Sequence, residues 1–247
     1  MPKIRFSSDA NAYRITLDDP PLHILDVAML AELRDALARV ANDRHALIID
    51  ATGDKAFSAG ASVPDHLGDR VATMLANFHD CFRTLTRLDL VTVAFVRGPA
   101  LGGGCELASA CDFALASDRA RFALPEITLG VFPPVAAYQM SRQVTPRIGL
   151  EAMLTGEPMD ARLMTNAIFP HDEFDARAEE WMQRLYRQSA SSLRFAKKAF
   201  RIAQAEDFDE RLARVERLYL EELMKTDDAT EGLVAFMEKR KAAWRRR

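Results

Sequence analysis

The sequence predicts an α/β fold in which parallel strands are joined by helical crossovers and followed by a helical extension. Three observations lead there. Strand-like and helix-like segments alternate through the N-terminal half, the order that parallel pairing requires. The run Val91-Thr92-Val93-Ala94-Phe95-Val96 is apolar enough for a strand buried on both faces. From Phe174 onward helical periodicity takes over, with no Pro after Pro170 and Gly232 the only Gly after Gly156.

Taken in order, Lys3–Ser7 and Ala12–Leu17 read as two short strands with Asp9-Ala10-Asn11 as the turn. Between Asp26 and Val40 the apolar positions Val27, Leu30, Leu33, Leu37 and Val40 recur at three- and four-residue steps, the period of a helix with one buried stripe. Asp26 is placed to cap it, because its carboxylate can accept from the free N–H groups of the first turn. His45–Ala51 is a β-branched strand, and Val71, Leu75, Phe78, Phe82 and Leu85 form the stripe of a second helix. Near the C-terminal end Phe208, Leu212, Val215, Tyr219 and Leu223 make another stripe that Leu233 and Phe236 continue. That segment is too thin to bury its own faces, so it is expected on the preceding core or on another subunit. The partition is a core over residues 1–190 and a helical extension over 191–247.

At 247 residues and 49% hydrophobic content the chain can bury one substantial core. Lys and Arg number 33 against 36 Asp and Glu, which excludes a nucleic-acid binder working through bulk positive charge. The longest stretch without a charge, Ile127 to Ser141, is interrupted by Gly130, Pro133 and Pro134. A membrane span needs about 20 mostly apolar residues, so none is expected. The first residues, Met1-Pro2-Lys3-Ile4-Arg5-Phe6, form no apolar signal-peptide core. Cys81, Cys105 and Cys111 are odd in number and lack a CxxC pair, so free thiols and a cytoplasmic location are expected.

Two loops built of small residues each follow a predicted strand: Ala56-Phe57-Ser58-Ala59-Gly60-Ala61-Ser62 and Gly98-Pro99-Ala100-Leu101-Gly102-Gly103-Gly104-Cys105-Glu106. Three glycines opening a helix expose backbone N–H groups at its positive end, where an anion or a polarised oxygen can bind. A Gly-rich turn of this kind also serves simple close packing of strand and helix. The spacing matches neither the G-x-G-x-x-G dinucleotide fingerprint nor a P-loop. Glu106 sits beyond the glycines among Leu101, Cys105, Leu107 and Ala108, and Glu126 follows in Leu124-Pro125-Glu126-Ile127. Two nearby carboxyls in an apolar site push their proton affinities apart, and such a pair can deliver and remove a proton near neutral pH. The ordinary fate of a single Glu is a cap or a salt bridge. Asp112, Asp118 and Arg119 are read as structural.

With these loops and Pro125-Glu126-Ile127-Thr128-Leu129-Gly130, the chain resembles the crotonase (enoyl-CoA hydratase/isomerase) superfamily over nearly its whole length. The resemblance implies a coiled ββα spiral core, a helical trimerisation region, an acyl-CoA thioester as substrate, and a homotrimer or a dimer of trimers. It implies that the backbone N–H groups of Ala61 and Gly103 form an oxyanion hole for the thioester oxygen. It implies that Glu106 and Glu126 hold the attacking water and exchange its proton with the substrate carbon. Ala59, Gly60, Ser62 and Gly102 would border the substrate, while Phe236 and Lys239 would reach a neighbouring subunit's CoA. No metal or redox cofactor is implied, because CoA arrives with the substrate. Retention of both carboxylates favours addition or elimination of water over isomerisation.

One segment departs from the usual hydratase pattern. Where glycines commonly follow the second glutamate, this chain has Phe132-Pro133-Pro134-Val135-Ala136-Ala137-Tyr138. Pro134 and Val135 would add volume and stiffness to the wall beside the acyl group. With Asp19-Pro20-Pro21 and Val63-Pro64-Asp65-His66, this run resembles cyclohexa-1,5-dienecarbonyl-CoA hydratases; the plain alternative is a packing variation in a general enoyl-CoA hydratase. His66, close to the Ala61 loop, and His79 could stand near the pocket, but a lone His in a polar loop is more often a surface residue and that reading is preferred; no His or Cys cluster has metal-ligand spacing. Ser58 lacks an acidic third partner for nucleophilic catalysis. Lys239 to Arg247 contains six Lys or Arg, read as a solvated helix end with nucleic-acid binding as its rival. A catalytically silent acyl-CoA binder is disfavoured by the two glutamates, which are costly to bury without a use.

Overall fold

The computed structural model describes residues 2–203 and 208–243. Its main sheet has six strands: β1 (Ile4–Ser8), β2 (Ala12–Leu17), β3 (Ala46–Ala51), β4 (Val91–Val96), β6 (Phe113–Ser117) and β8 (Ala167–Phe169), adjacent in that order. Between them in sequence run β5 (Ala100–Leu101) and β7 (Phe122–Ala123). The β1–β2 hairpin is antiparallel and every later pair in the sheet is parallel, with Ile15 opposite Ile49, Ile48 opposite Val93 and Phe95 opposite Leu115. The predicted strands are therefore present, β1 shifted by one residue and β3 beginning at Ala46.

The crossovers are α1 (Val27–Ala38), α2 (Arg70–Arg87) and α3 (Gly103–Ala110). Asp26 caps α1 as expected, its carboxylate accepting from the Met29 N–H at 2.8 Å. Because strand side chains alternate, β3 sends Leu47 and Ile49 into the core under α1 and α2, and Ala46 and Ile48 to the opposite face. That opposite face is covered by α7 (Phe174–Tyr186), where Phe174 meets Phe95 edge-on at 5.8 Å. β3 and β4 are buried on both sides, which is why they read as unbroken apolar runs.

A second, narrower ladder runs beside the sheet. Ser58 bridges Ala100 in parallel, β5 pairs with β7 in parallel, and Phe122 bridges Met159. Each turn of chain thus lays down one long strand and one short pairing before its helix, the ββα spiral that the resemblance implied. The small-residue loops lie on this short ladder, where side chains would separate the layers.

Then follow α4 (Pro134–Gln143), α5 (Pro146–Thr155), α6 (Ala161–Met164), α8 (Ala190–Ala203), α9 (Phe208–Arg217) and α10 (Asp227–Met237). A π-helical turn at Leu218–Glu222 joins α9 to a 3₁₀ turn at Leu223–Lys225. Leu212, Tyr219, Ala229 and Leu233 are buried in the main core, so the last helices rest on their own chain. The side chain of Phe208 and residues 244–247, with the predicted tail charges Arg245, Arg246 and Arg247, lie outside the described residues. In contrast, α8 leaves Phe195 and Phe200 largely exposed, while its Lys197 pairs with Asp112 at 2.5 Å. Asp112 also accepts from the Thr92 N–H at 2.8 Å, consistent with the structural part expected of it.

All three cysteines are free and buried. Burial pushes the Cys81 thiol up to about 12, so it remains protonated. Among the described residues no helix is long and apolar enough to cross a membrane.

Candidate active site

The two small-residue loops are pressed together. Ser58 is fully buried; its hydroxyl donates to the His23 carbonyl at 2.7 Å and accepts from the Gly60 N–H at 3.1 Å. Ser58 thus ties down its loop, in keeping with the case against it as a nucleophile. Gly60 has φ +97°, and a side chain there would stand 2.8 Å from the Leu101 carbonyl oxygen. Leu25 bonds to the residues on either side of Ala61: its N–H donates to the Gly60 carbonyl, and its carbonyl accepts from the Ser62 N–H. In a parallel bridge of that form the N–H of Ala61 itself points the other way. Gly103 is the first residue of α3, so its N–H has no acceptor within the helix. A methyl group on Gly103 would lie 3.2 Å from the Ala61 nitrogen, so the two N–H groups stand side by side.

Glu106, in the first turn of α3, is 2% exposed. One of its oxygens accepts from the Ala136 N–H at 2.7 Å, in the first turn of α4, where backbone donors are free to receive an anion. Burial raises the Glu106 pKa, and the Ala136 and Val135 N–H groups partly oppose that rise. Glu126 sits in the 3₁₀ turn Pro125–Leu129, which Gly130 closes in the left-handed conformation at φ +78°. Its Oε2 is buried without a hydrogen-bond partner. Burial, and then the charge on Glu106, raise the Glu126 pKa. With α4 donors only on Glu106, the pair ionises first there and Glu126 keeps its proton.

Both carboxyls line a cavity of ≈ 330 Å³, walled by Phe78, Met74, Leu75, Phe132, Pro134 and Leu233. Of the residues expected at the substrate, Ala59, Gly60, Ala61, Gly102, Gly103, Glu106, Glu126, Pro134 and Phe236 border it. Ser62, Val135 and Lys239 do not. Ser62 faces inward and lends its carbonyl to His66 Nδ1 at 2.9 Å. Val135 sends its side chain into the core with no exposure, so only its backbone touches the site. Lys239 is an exposed residue with φ +55° just beyond α10. Phe236 borders the cavity of its own chain.

The reading of both histidines as surface groups is corrected. His79 has no exposure and faces Glu216 at 3.4 Å, because α9 closes over the polar flank of α2. His66 borders the cavity, and burial lowers its pKa, so it is held neutral. Its Nδ1 must carry the proton donated to the Ser62 carbonyl, which leaves Nε2 as an acceptor. Tyr219, read only as part of a helical stripe, also borders the cavity and is 1% exposed. Among the described residues no group of three metal-ligating side chains is present. A larger open cavity of ≈ 920 Å³ lies between α4 and α8, and neither glutamate reaches it.

Residues 7–247 match the family model described as enoyl-CoA hydratase/isomerase. The chain belongs to the enoyl-CoA hydratase/isomerase family. A relative named cyclohexa-1,5-dienecarbonyl-CoA hydratase, from Thauera aromatica, is 37% identical and aligns over 99% of this chain and 97% of its own length. A probable enoyl-CoA hydratase from Rhizobium meliloti is 36% identical over 94% of each chain. Among solved structures, an enoyl-CoA hydratase from Mycobacterium avium subsp. paratuberculosis superposes with a TM-score of 0.86 at 26% identity, covering 98% of both chains.

Proposed function

We propose that this member of the enoyl-CoA hydratase/isomerase family adds water to, or removes it from, a conjugated enoyl- or dienoyl-CoA thioester, with cyclohexa-1,5-dienecarbonyl-CoA as the preferred substrate. The observation that carries the reading is the convergence of two buried carboxyls and two free backbone N–H groups on one cavity. The thioester oxygen accepts from Ala61 and Gly103 as negative charge develops on it; a donor of this kind contributes about 3 kcal/mol to the barrier. Ionised Glu106 takes a proton from water while the water oxygen bonds to the unsaturated carbon remote from the thioester. Protonated Glu126 delivers its proton to the carbon next to the carbonyl. One proton enters the pair and one leaves it, so the net reaction is addition of water.

A ring as the acyl group is supported by the 37% identical relative and by the aromatic walls Phe78, Phe132 and Tyr219 beside Pro134. The general straight-chain enoyl-CoA hydratase is the second reading, favoured by the name of the Rhizobium relative. Neither reading calls on a metal or redox cofactor, since CoA enters with the substrate. Exposed Phe195 and Phe200 on α8 offer an apolar face suited to a homotrimer or a dimer of trimers in the cytoplasm.

The test is hydration of crotonyl-CoA and cyclohexa-1,5-dienecarbonyl-CoA side by side, with products identified by mass. Preference for the diene supports the cyclic reading. Preference for crotonyl-CoA overturns it in favour of the straight-chain one, and inactivity on both overturns hydration.

A further inference from the structure

Two residues that border the cavity each carry a buried polar atom without a partner: Glu126 Oε2 and the Tyr219 hydroxyl. Leaving such a group unpaired costs about 1–3 kcal/mol, and orphans of this kind call for an explanation. Tyr219 borders the same cavity as Glu126 and Glu106, and its hydroxyl hydrogen-bonds to neither. Burial and those charges raise its pKa well above the usual phenol range, so the group remains an O–H donor.

The backbone around Tyr219 is unusual as well. Leu218–Glu222 is a π-helical turn, a form that is rare and concentrated at functional sites. The ring is held edge-on against Phe132 at 5.2 Å and lies 6.5 Å from His66, which leaves it little freedom to turn away. An aromatic clamp and a π turn thus hold a donor-bearing ring beside the cavity, with no acceptor for its hydroxyl among the described residues.

We propose that Tyr219 binds the reacting oxygen: its hydroxyl donates a hydrogen bond to the water that is added, or to the hydroxyl of the hydrated acyl group. That oxygen satisfies both orphans at once, accepting from Tyr219 and donating to Glu126 Oε2. A water there uses its second proton toward Glu106, and its remaining lone pair faces the substrate carbon. This role rests on the acyl-CoA hydratase reading.

The test compares two thioesters that differ by one hydroxyl, 3-hydroxybutyryl-CoA and butyryl-CoA, by titration calorimetry. Tyr219→Phe is examined in a Glu106→Gln background that stalls turnover. The expected result is an affinity for 3-hydroxybutyryl-CoA lower by about tenfold, or about 1.4 kcal/mol, with butyryl-CoA binding unchanged. Thermal stability without ligand should stay the same or rise, since an unpaired buried hydroxyl has been removed. Equal changes for both thioesters, no change for either, or a fall in Tm overturns the role of Tyr219. A parent protein that binds neither thioester overturns the acyl-CoA reading, and the role of Tyr219 falls with it.

Discussion

Glu126 rests on the bare backbone of Gly102: a methyl group on Gly102 would stand 2.5 Å from Glu126 Oε1. The glycine has φ +50° and ψ −124°, a conformation that side chains resist, and its next neighbour, Gly103, opens α3 with an N–H that has no acceptor within the helix. A side chain at residue 102 would therefore displace the carboxyl from the place it holds beside that backbone. Gly102→Ala is expected to cost about 1–3 kcal/mol in backbone strain. By displacing Glu126 it should also lower kcat about a hundredfold. Denaturant unfolding and steady-state kinetics check both, and a fully active alanine variant would refute this account of the contact.

The glutamate pair makes a prediction about pH. In both groups the folded state raises the pKa, chiefly through burial. The folded protein therefore holds more protons than the unfolded chain above the ordinary carboxylate range. The linkage slope is negative there: stability is intact below the unfolded pKa of about 4.3 and is lost as pH rises through the folded values. Glu126→Gln cannot ionise, so its Tm should exceed that of the parent by a margin that widens from about pH 5 to about pH 9. The same variant, and Glu106→Gln, should lose about two to four orders of magnitude in turnover. A pH-independent Tm difference would show that these carboxyls do not titrate as described.

Ser58 tests the loop that carries Ala61. Ser58→Ala removes the partner of both the His23 carbonyl and the Gly60 N–H. Two orphaned groups should cost about 1–3 kcal/mol. Loosening the loop that carries Ala61 should lower kcat/KM by about ten- to a hundredfold. Complete loss of turnover in a fully stable variant would instead reopen Ser58 as a nucleophile.

Pro134 and Val135 are adjacent but face different surroundings, and their substitutions should separate accordingly. Pro134→Ala changes the cavity wall and is expected to shift the ratio of kcat/KM for the cyclic diene over crotonyl-CoA by about tenfold. Val135→Ala hollows the core, costing about 1–3 kcal/mol, and should leave that ratio where it was. A specificity shift from Val135→Ala alone would reverse the assignment.

Local signals carried much of this architecture. A period-two pattern in Ala12–Leu17, an unbroken apolar run in Val91–Val96 and the period-3.6 stripes of α1 and α2 specify strand or helix within a few residues, because side-chain direction repeats with backbone geometry. The glycines at 102–104 and the carboxyls at 106 and 126 were legible because close approach and proton transfer demand particular residue types. Burial behaves differently. His66 and His79 look alike in sequence, yet one borders the cavity and the other is sealed beneath α9, since distant segments decide what covers them. Val135 turns away from the site because α4 presents its N-terminal N–H groups there, and nothing in the Pro-Pro-Val run states that orientation. Tyr219 shares a stripe with Leu212 and Leu233; a π turn and the fold of α9 across α4 bring it to the cavity that carboxyls far back in the chain also border. Element type and the chemistry of the short motifs thus belonged to the sequence alone. Which polar groups converge on one cavity was decided by tertiary packing, because convergence depends on contacts between segments that no local periodicity encodes.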